Sequence, residues 1–186
     1  MAYKNKYNLL FFGPPGSGKG TQAEKISEKF QIAHISTGVM LRDHVDRKTD
    51  LGIKAKSILD EGSLVPDNLV IEMLKDRLDS DDCKNGAILD GFPRTLPQAL
   101  SLENDEKFSI KSVIFFDVNQ EELVKRMLER GRSDDTEESI KVRLQVYLNE
   151  TEPLVGFYSK KNLLTEINAL GSVDDICSSI SELINL

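Results

Sequence analysis

A run of small and rigid residues ending in a lysine, Gly13-Pro14-Pro15-Gly16-Ser17-Gly18-Lys19-Gly20-Thr21, carries the plainest chemistry in this chain. Its spacing is that of the GxxxxGK part of a Walker A loop. Glycines at 13, 16 and 18 let the backbone curl so that successive N–H groups point at phosphate oxygens. A helix starting near Lys19 aims the positive end of its dipole the same way. Lys19 adds a full charge for the β and γ phosphates of a nucleotide. A plain strand–helix turn would need neither the rigid residues nor the lysine. One detail departs from the common motif: the hydroxyl residue that ligates Mg²⁺ normally follows the lysine directly, whereas here Gly20 stands there and Thr21 comes next.

Arginines form the second chemical signal. Phosphoryl transfer is mostly positioning and charge stabilisation around an in-line geometry, for which guanidinium forks are suited. Of the eight arginines, Arg42 follows the second apolar run and Arg94 follows a rigid Gly91-Phe92-Pro93 turn. Arg130 and Arg132 flank a polar loop, and Arg143 lies on the helix beyond it. Arg47 and Arg77 fit no motif and are read as solvated surface charges. Asp90 ends an apolar run as a Walker B acid does. It is read as a carboxylate holding a water of the Mg²⁺ shell, with a structural cap as the alternative. His34 and His44 are assigned to structure, because transfer between phosphate anions needs no strong base.

Short apolar runs must position these groups. Residues 8–12, 32–35, 87–90, 113–117 and 163–167 read as strands buried on both faces, as in a parallel sheet. Helical spacing lies between them, as in Ala23, Ile26 and Phe30, in Leu123 and Met127, and in Ile140, Leu144 and Leu148 up to a stop at Pro153. The alternation predicts an α/β fold: a five-stranded parallel sheet flanked by helices in three layers, with the site at the carboxyl edge of the strands. Two segments fit the alternation poorly. Residues 36–65 hold helices and no strand, and 130–136 is a polar loop. Gly131 is expected to stop the helix before it, and Asp135 with Glu138 to form a capping box after it. Both segments read as flaps over the site within one domain, 1–186.

Composition sets the class. At 186 residues, 39% hydrophobic and 30% charged, the chain closes a real core. Its net charge of −7 argues against nucleic acid as a partner and demands that positive charge be gathered locally if nucleotides bind. Cys83 and Cys177 are far apart and no CxxC occurs, so no structural zinc is expected and both are read as buried thiols. The apolar run 7–12 is too short for a signal segment or a membrane span, which gives a cytosolic expectation. No long exposed apolar stripe is evident, so a monomer is expected.

The motifs together resemble the adenylate kinase family over about residues 8–183. The matching stretches are GPPGSGKGTQ at 13–22, STGVMLR at 36–42, GSLVPD at 62–67, DGFPRTLPQ at 90–98, RGRSDD at 130–135 and GSVDD at 171–175. The GKGT form of the phosphate loop is the one found in nucleoside monophosphate kinases. The resemblance implies reversible, Mg²⁺-dependent conversion of ATP and AMP to two ADP. It implies that Gly13, Gly16, Ser17, Gly18, Lys19, Gly20, Thr21, Arg126, Arg130 and Gly171 bind ATP. On the AMP side it places Thr37, Arg42, Ser63, Leu64, Val65, Gly91, Phe92, Pro93, Arg94, Gln98, Arg132 and Arg143. Lys19, Arg94, Arg130, Arg132 and Arg143 would carry catalysis, with Asp90 on the metal's water shell. Segment 36–65 would be the AMP-binding flap and 130–136 a lid of the short kind.

Base choice rests on Thr37 and on Gln98, whose amide can present paired donor and acceptor groups to an adenine edge; an exposed helix residue is the alternative. UMP or CMP as acceptor and a nucleotide-binding protein without turnover are the competing readings. One position departs from the family: Val39 stands where STGD is usual. We expect its missing carboxylate to weaken cleft closure modestly while leaving the chemistry intact.

Overall fold

The computed structural model describes residues 7–105, 108–132 and 134–185. Residues 1–6 and Ser133, which the sequence placed in the amino terminus and the lid loop, lie outside them. The strands are β1 (Leu9–Phe12), β2 (Ala33–Ser36), β3 (Ala87–Asp90), β4 (Ser112–Asp117) and β5 (Leu164–Asn168). They form one sheet in the order β2-β3-β1-β4-β5. Every pair is parallel, with Phe11 opposite Asp90 on one side and opposite Ile114 on the other. The five-stranded parallel sheet read from the apolar runs is therefore present, each strand within a residue or so of its expected bounds.

Strand geometry explains why those runs are apolar throughout. Successive side chains point to opposite faces, and helices cover both. Leu10 and Phe12 of β1 pack with Ala33, Ile35 and Leu89 in one cluster. Leu9 and Phe11 pack with Ile88, Ile114 and Phe116 in the other. All four β1 side chains are buried, each contributing about 1.5–3 kcal/mol relative to exposure.

The helices are α1 (Lys19–Phe30), α2 (Thr37–Asp46), α3 (Asp50–Asp60), α4 (Asp67–Leu78), α5 (Leu96–Glu103), α6 (Gln120–Arg130), α7 (Glu137–Val146), α8 (Pro153–Ser159) and α9 (Val173–Asn185). The first cluster takes Leu41 from α2, Ala55 from α3, Met73 and Leu74 from α4, Ala99 from α5 and Tyr158 from α8. The second takes Ala23 and Ile26 from α1, Leu123 and Met127 from α6, Ile140 from α7 and Ile180 from α9. The three expected layers follow. Helices α2 and α3, the strandless excursion, touch so closely that a Cβ on Gly52 would lie 1.9 Å from the His44 carbonyl oxygen.

Helix ends are where the structure corrects the sequence reading. Gly131 does stop α6, in the left-handed conformation. The box opening α7, however, is Thr136 with Ser139, not Asp135 with Glu138; the Asp135 carboxylate is drawn away by arginines. Pro153 does not end the helical path either. After α7 the chain runs through a π-helical turn (Tyr147–Thr151), and Pro153 opens α8 at its first turn, where a missing N–H costs nothing. Cys83 is buried as expected, but Cys177 is only partly so. No helix among the described residues is long and apolar enough to cross a membrane.

Candidate active site

Because all five strands run the same way, every loop leaving a carboxyl end reaches one edge of the sheet. The phosphate loop leaves β1, Thr37 follows β2, Asp90 ends β3, and residues 169–171 follow β5. Helices α1 and α2 start at this edge with no side-chain cap and no acidic residue in the first turn. By contrast α3, α5, α6 and α7 are capped by Thr49, Thr95, Asn119 and Thr136. The first-turn N–H groups of α1 are thus left for an anion.

The loop is held in shape by close packing. Gly16 has φ 86°, and a Cβ there would come within 2.8 Å of the Leu123 carbonyl oxygen. Lys19 folds back over the loop, Nζ donating to the carbonyls of Gly13 (2.7 Å) and Pro14 (2.8 Å) and to Ser17 Oγ (3.1 Å). Burial lowers its pKa from 10.5 to about 8, against the opposing pull of Asp90. A phosphate would supply the negative charge that this ammonium lacks.

A cleft of about 630 Å³ opens above the loop. Its wall carries Lys19 and six of the eight arginines, namely Arg42, Arg94, Arg126, Arg130, Arg132 and Arg143, against three carboxylates, Glu24, Asp90 and Asp134. In a chain of net charge −7 this is the local concentration of positive charge that phosphates require. Gly16, Ser17, Gly18, Gly20, Thr21, Thr37, Ser63, Leu64, Val65, Gly91, Gln98 and Gly171 also line it. Gly13, Phe92 and Pro93 do not. They line a smaller cavity of about 90 Å³ behind, which Lys19 and Arg94 also border, and Phe92 is core.

The arginines are held in different ways. Arg94 Nε donates to the Gly91 carbonyl (2.8 Å), and the Arg94 carbonyl accepts from Thr151 of the π-helical turn (2.9 Å). Arg126 donates to Glu122 (2.8 Å) and to the Ala169 carbonyl (3.0 Å). Arg130 makes a two-pronged pair with Asp135 at 2.9 and 2.8 Å. Arg143 reaches Asp135 at 2.9 Å and is bonded to Asp134 as well. A guanidinium has five N–H donors, so both keep some for a ligand. The side chains of Arg42 and Arg132 have no partner among the described residues. Burial, first, and the neighbouring guanidiniums lower the pKa of each. Asp134 offsets part of this crowding of like charge, and an anion in the cleft would offset more. Arg47 and Arg77, assigned to the surface, pair instead with Asp43 and Asp82.

Asp90 sits at the end of β3 with its Oδ2 near Gly20; a Cβ on that glycine would be 3.5 Å away. Burial raises its carboxyl pKa, but His34 and Lys19 beside it outweigh burial and hold it low. A side chain at position 20 would start in ordinary van der Waals contact with this carboxylate, so space alone does not demand the glycine there. His34, read as purely structural, has Nε2 3.5 Å from Asp90 Oδ2, beyond a well-formed hydrogen bond. Only contact across β2 and β3 reveals this neighbour. No group of three or more His, Cys, Asp or Glu that could hold a metal stands together among the described residues. A single carboxylate at a strand end, as Asp90 is, would suit Mg²⁺ carried in by phosphates with most of its waters.

Two expected base contacts are already engaged. Thr37 Oγ1 donates to the Gly91 carbonyl (2.8 Å). Gln98 is not an exposed helix residue but is buried; its Oε1 accepts from the Arg94 N–H (2.8 Å) and its Nε2 donates to Asp67 Oδ1 (2.7 Å). Asp67 closes the GSLVPD stretch, where nothing in the local sequence marks it for this contact. Val39 is 55% exposed.

Comparison with known proteins agrees with this geometry. The family model described as Adenylate kinase matches residues 11–163. A protein of Leptospira biflexa serovar Patoc named adenylate kinase is 51% identical over 179 residues, covering 92% of this chain and 96% of the relative. One from Mycobacteroides abscessus, of the same name, is 48% identical, covering 94% and 97%. A third, from Methanocella arvoryzae, is 41% identical over 206 aligned positions, covering 92% and 95%. That alignment exceeds the 186 residues here, so this relative carries residues the chain lacks. A model spanning most of the chain and relatives aligned nearly end to end lead to one conclusion: this chain belongs to the adenylate kinase family.

Proposed function

We propose that this chain performs the family reaction, ATP and AMP to two ADP, in the cleft at the carboxyl edge of its sheet. The ATP triphosphate lies on the phosphate loop, with Lys19 at its β and γ phosphates and Gly16 through Thr21 around it. Gly13 holds Lys19 through its carbonyl. Arg126, Arg130 and Gly171 border the ATP side. AMP lies against the 36–65 flap, its phosphate at Arg42 and Arg94 and its base near Thr37, Ser63, Leu64, Val65 and Gln98. Phe92 and Pro93 fix the turn that presents Gly91 and Arg94.

An oxygen of the AMP phosphate attacks the γ-phosphorus in line, the bond from that phosphorus to the β–γ bridging oxygen breaks, and both products are ADP. Neither step needs a strong base, because the attacking oxygen is already anionic. The cost lies in bringing two anions together, and the cationic wall meets it. Arg132 and Arg143, with Arg130, clamp the transferring group as the 130–136 lid closes and excludes water. Asp134 and Asp135 keep two of these arginines positioned beforehand. Mg²⁺ bound with ATP would neutralise phosphate charge, and Asp90 would hold its water shell. The working unit is taken to be a cytosolic monomer.

The observation that carries this reading is the convergence of Lys19 and six arginines on one cleft of an acidic protein. It is tested by ADP formation from Mg²⁺-ATP with AMP, UMP, CMP or GMP, using Lys19→Met as the blank. Turnover with AMP above the others is expected. Preference for UMP or CMP would overturn the roles of Thr37 and Gln98, and binding without turnover would overturn the catalytic roles.

A further inference from the structure

The amide of Gln98 is oriented by two partners of opposite character. The Arg94 backbone N–H can only donate, and it faces Oε1 at 2.8 Å. The Asp67 carboxylate can only accept, and it faces Nε2 at 2.7 Å. Asp67 Oδ1 is itself fixed, since it also accepts from Thr95 Oγ1 at 3.0 Å. Thr95 in turn caps α5, its hydroxyl accepting from the Gln98 N–H at 3.4 Å. The amide is buried, so rotating it by a half-turn would set a donor against a donor and an acceptor against an acceptor at a cost.

We infer that Asp67 is a positioning residue that sets base choice, by locking Gln98 in the one amide orientation that suits adenine. An amide has two hydrogens and two lone pairs, so Nε2 keeps one donor and Oε1 one acceptor for the cleft that Gln98 lines. Adenine offers the complement: an acceptor at N1 and a donor at its 6-amino group. Hypoxanthine and guanine offer the reverse, a donor at N1 and an acceptor at O6. Either would need the half-turn that Asp67 and Arg94 oppose. Base discrimination thus comes from a side chain on α4 that has no need to touch the base. The inference rests on the reading of Gln98 as the AMP base contact.

The test compares kcat/KM for AMP with that for inosine 5′-monophosphate, which has the reversed edge on the same purine and no 2-amino group. Wild type, Asp67→Asn, Asp67→Ser and Gln98→Leu are measured with saturating Mg²⁺-ATP. Asn and Ser at 67 can donate as well as accept, so the half-turn loses one of its two mismatches. The AMP-to-inosine preference is expected to narrow about tenfold in both, chiefly by a gain with the inosine nucleotide. Gln98→Leu is expected to lower AMP activity and erase most of the preference. A merely structural Asp67 would lower both acceptors together and leave the ratio in place, which overturns the inference while sparing the base contact. If Gln98→Leu also leaves the ratio in place, the base contact itself is wrong and the inference falls with it. The serine variant decides the matter should the asparagine variant fail to fold.

Discussion

Removing the charge of Lys19, by pH or by mutation, should change stability in a direction opposite to its effect on activity. Its ammonium sits among loop carbonyls with no anion in hydrogen-bond contact, and burial lowers its pKa from 10.5 to about 8. A shift of that size corresponds to about 3 kcal/mol of strain on the charged form. Solvent reaches the half-buried side chain, so about 2 kcal/mol is the working figure. The sign follows from linkage. Between pH 8 and 10.5 the unfolded chain holds a proton that the folded chain has released, so stability rises with pH across that window. Below it the penalty is fully present. Tyr147 and Tyr158, whose phenols burial pushes up, act in the opposite sense once the pH passes the ordinary tyrosine range. A comparison with Lys19→Met cancels them. The assay is urea unfolding of both proteins, without nucleotide, at pH 7, 8, 9 and 10. Wild type should gain about 2 kcal/mol on the variant between pH 7 and 10, whatever the absolute offset from lost hydrogen bonds. Parallel stability curves would refute the claim that this lysine is held charged against its surroundings in readiness for phosphate.

Three further outcomes are expected. Asp135→Ala removes the carboxylate that holds Arg130 and Arg143, and should cost about 2 kcal/mol of stability and lower kcat. Burial raises the Asp135 carboxyl, but the bond from Arg130 outweighs it and the net shift is downward. Its contribution is therefore present above the ordinary carboxylate range and lost as pH falls through the lowered value, and an acid-unfolding curve unchanged by the mutation would contradict this. Gly52→Ala drives a Cβ to 1.9 Å from the His44 carbonyl, so α2 and α3 must part. We expect a loss of about 2 kcal/mol or more, with KM for AMP rising more than KM for ATP; equal effects would argue against 36–65 as the AMP flap. Val39→Asp puts a carboxylate at an exposed site one residue from Gly38 of the cleft wall and should change nucleotide KM by under about 1 kcal/mol, toward tighter closure. No change in either kcat or KM would remove that role for position 39.

The sheet was legible because a parallel strand covered on both faces must be a short apolar run, and residues 87–90 or 113–117 allow little else. The phosphate loop was legible because its glycines and lysine are constrained locally. What escaped the sequence depends on contacts between distant segments. Asp135 looks like a helix cap until Arg130 and Arg143 are seen to take its carboxylate, leaving Thr136 and Ser139 to cap α7. Pro153 looks like a stop, yet it suits the first turn of a helix as well, and only the preceding π-helical turn shows which applies. The approach of His34 to Asp90 and of Asp67 to Gln98 spans 56 and 31 positions, distances that no local pattern encodes. Phe92 and Pro93 lie in a turn whose neighbours line the cleft while they themselves face away from it.

The central claim is that this cleft passes the γ-phosphoryl group of ATP directly to the phosphate of AMP. The most direct measurement supplies Mg²⁺-ATP labelled at the γ-phosphorus together with unlabelled AMP and follows the label in wild type and Lys19→Met. Label is expected in the β position of ADP in wild type, at a rate abolished in the variant. Label released as inorganic phosphate, or retained in ATP while AMP remains unchanged, would contradict it.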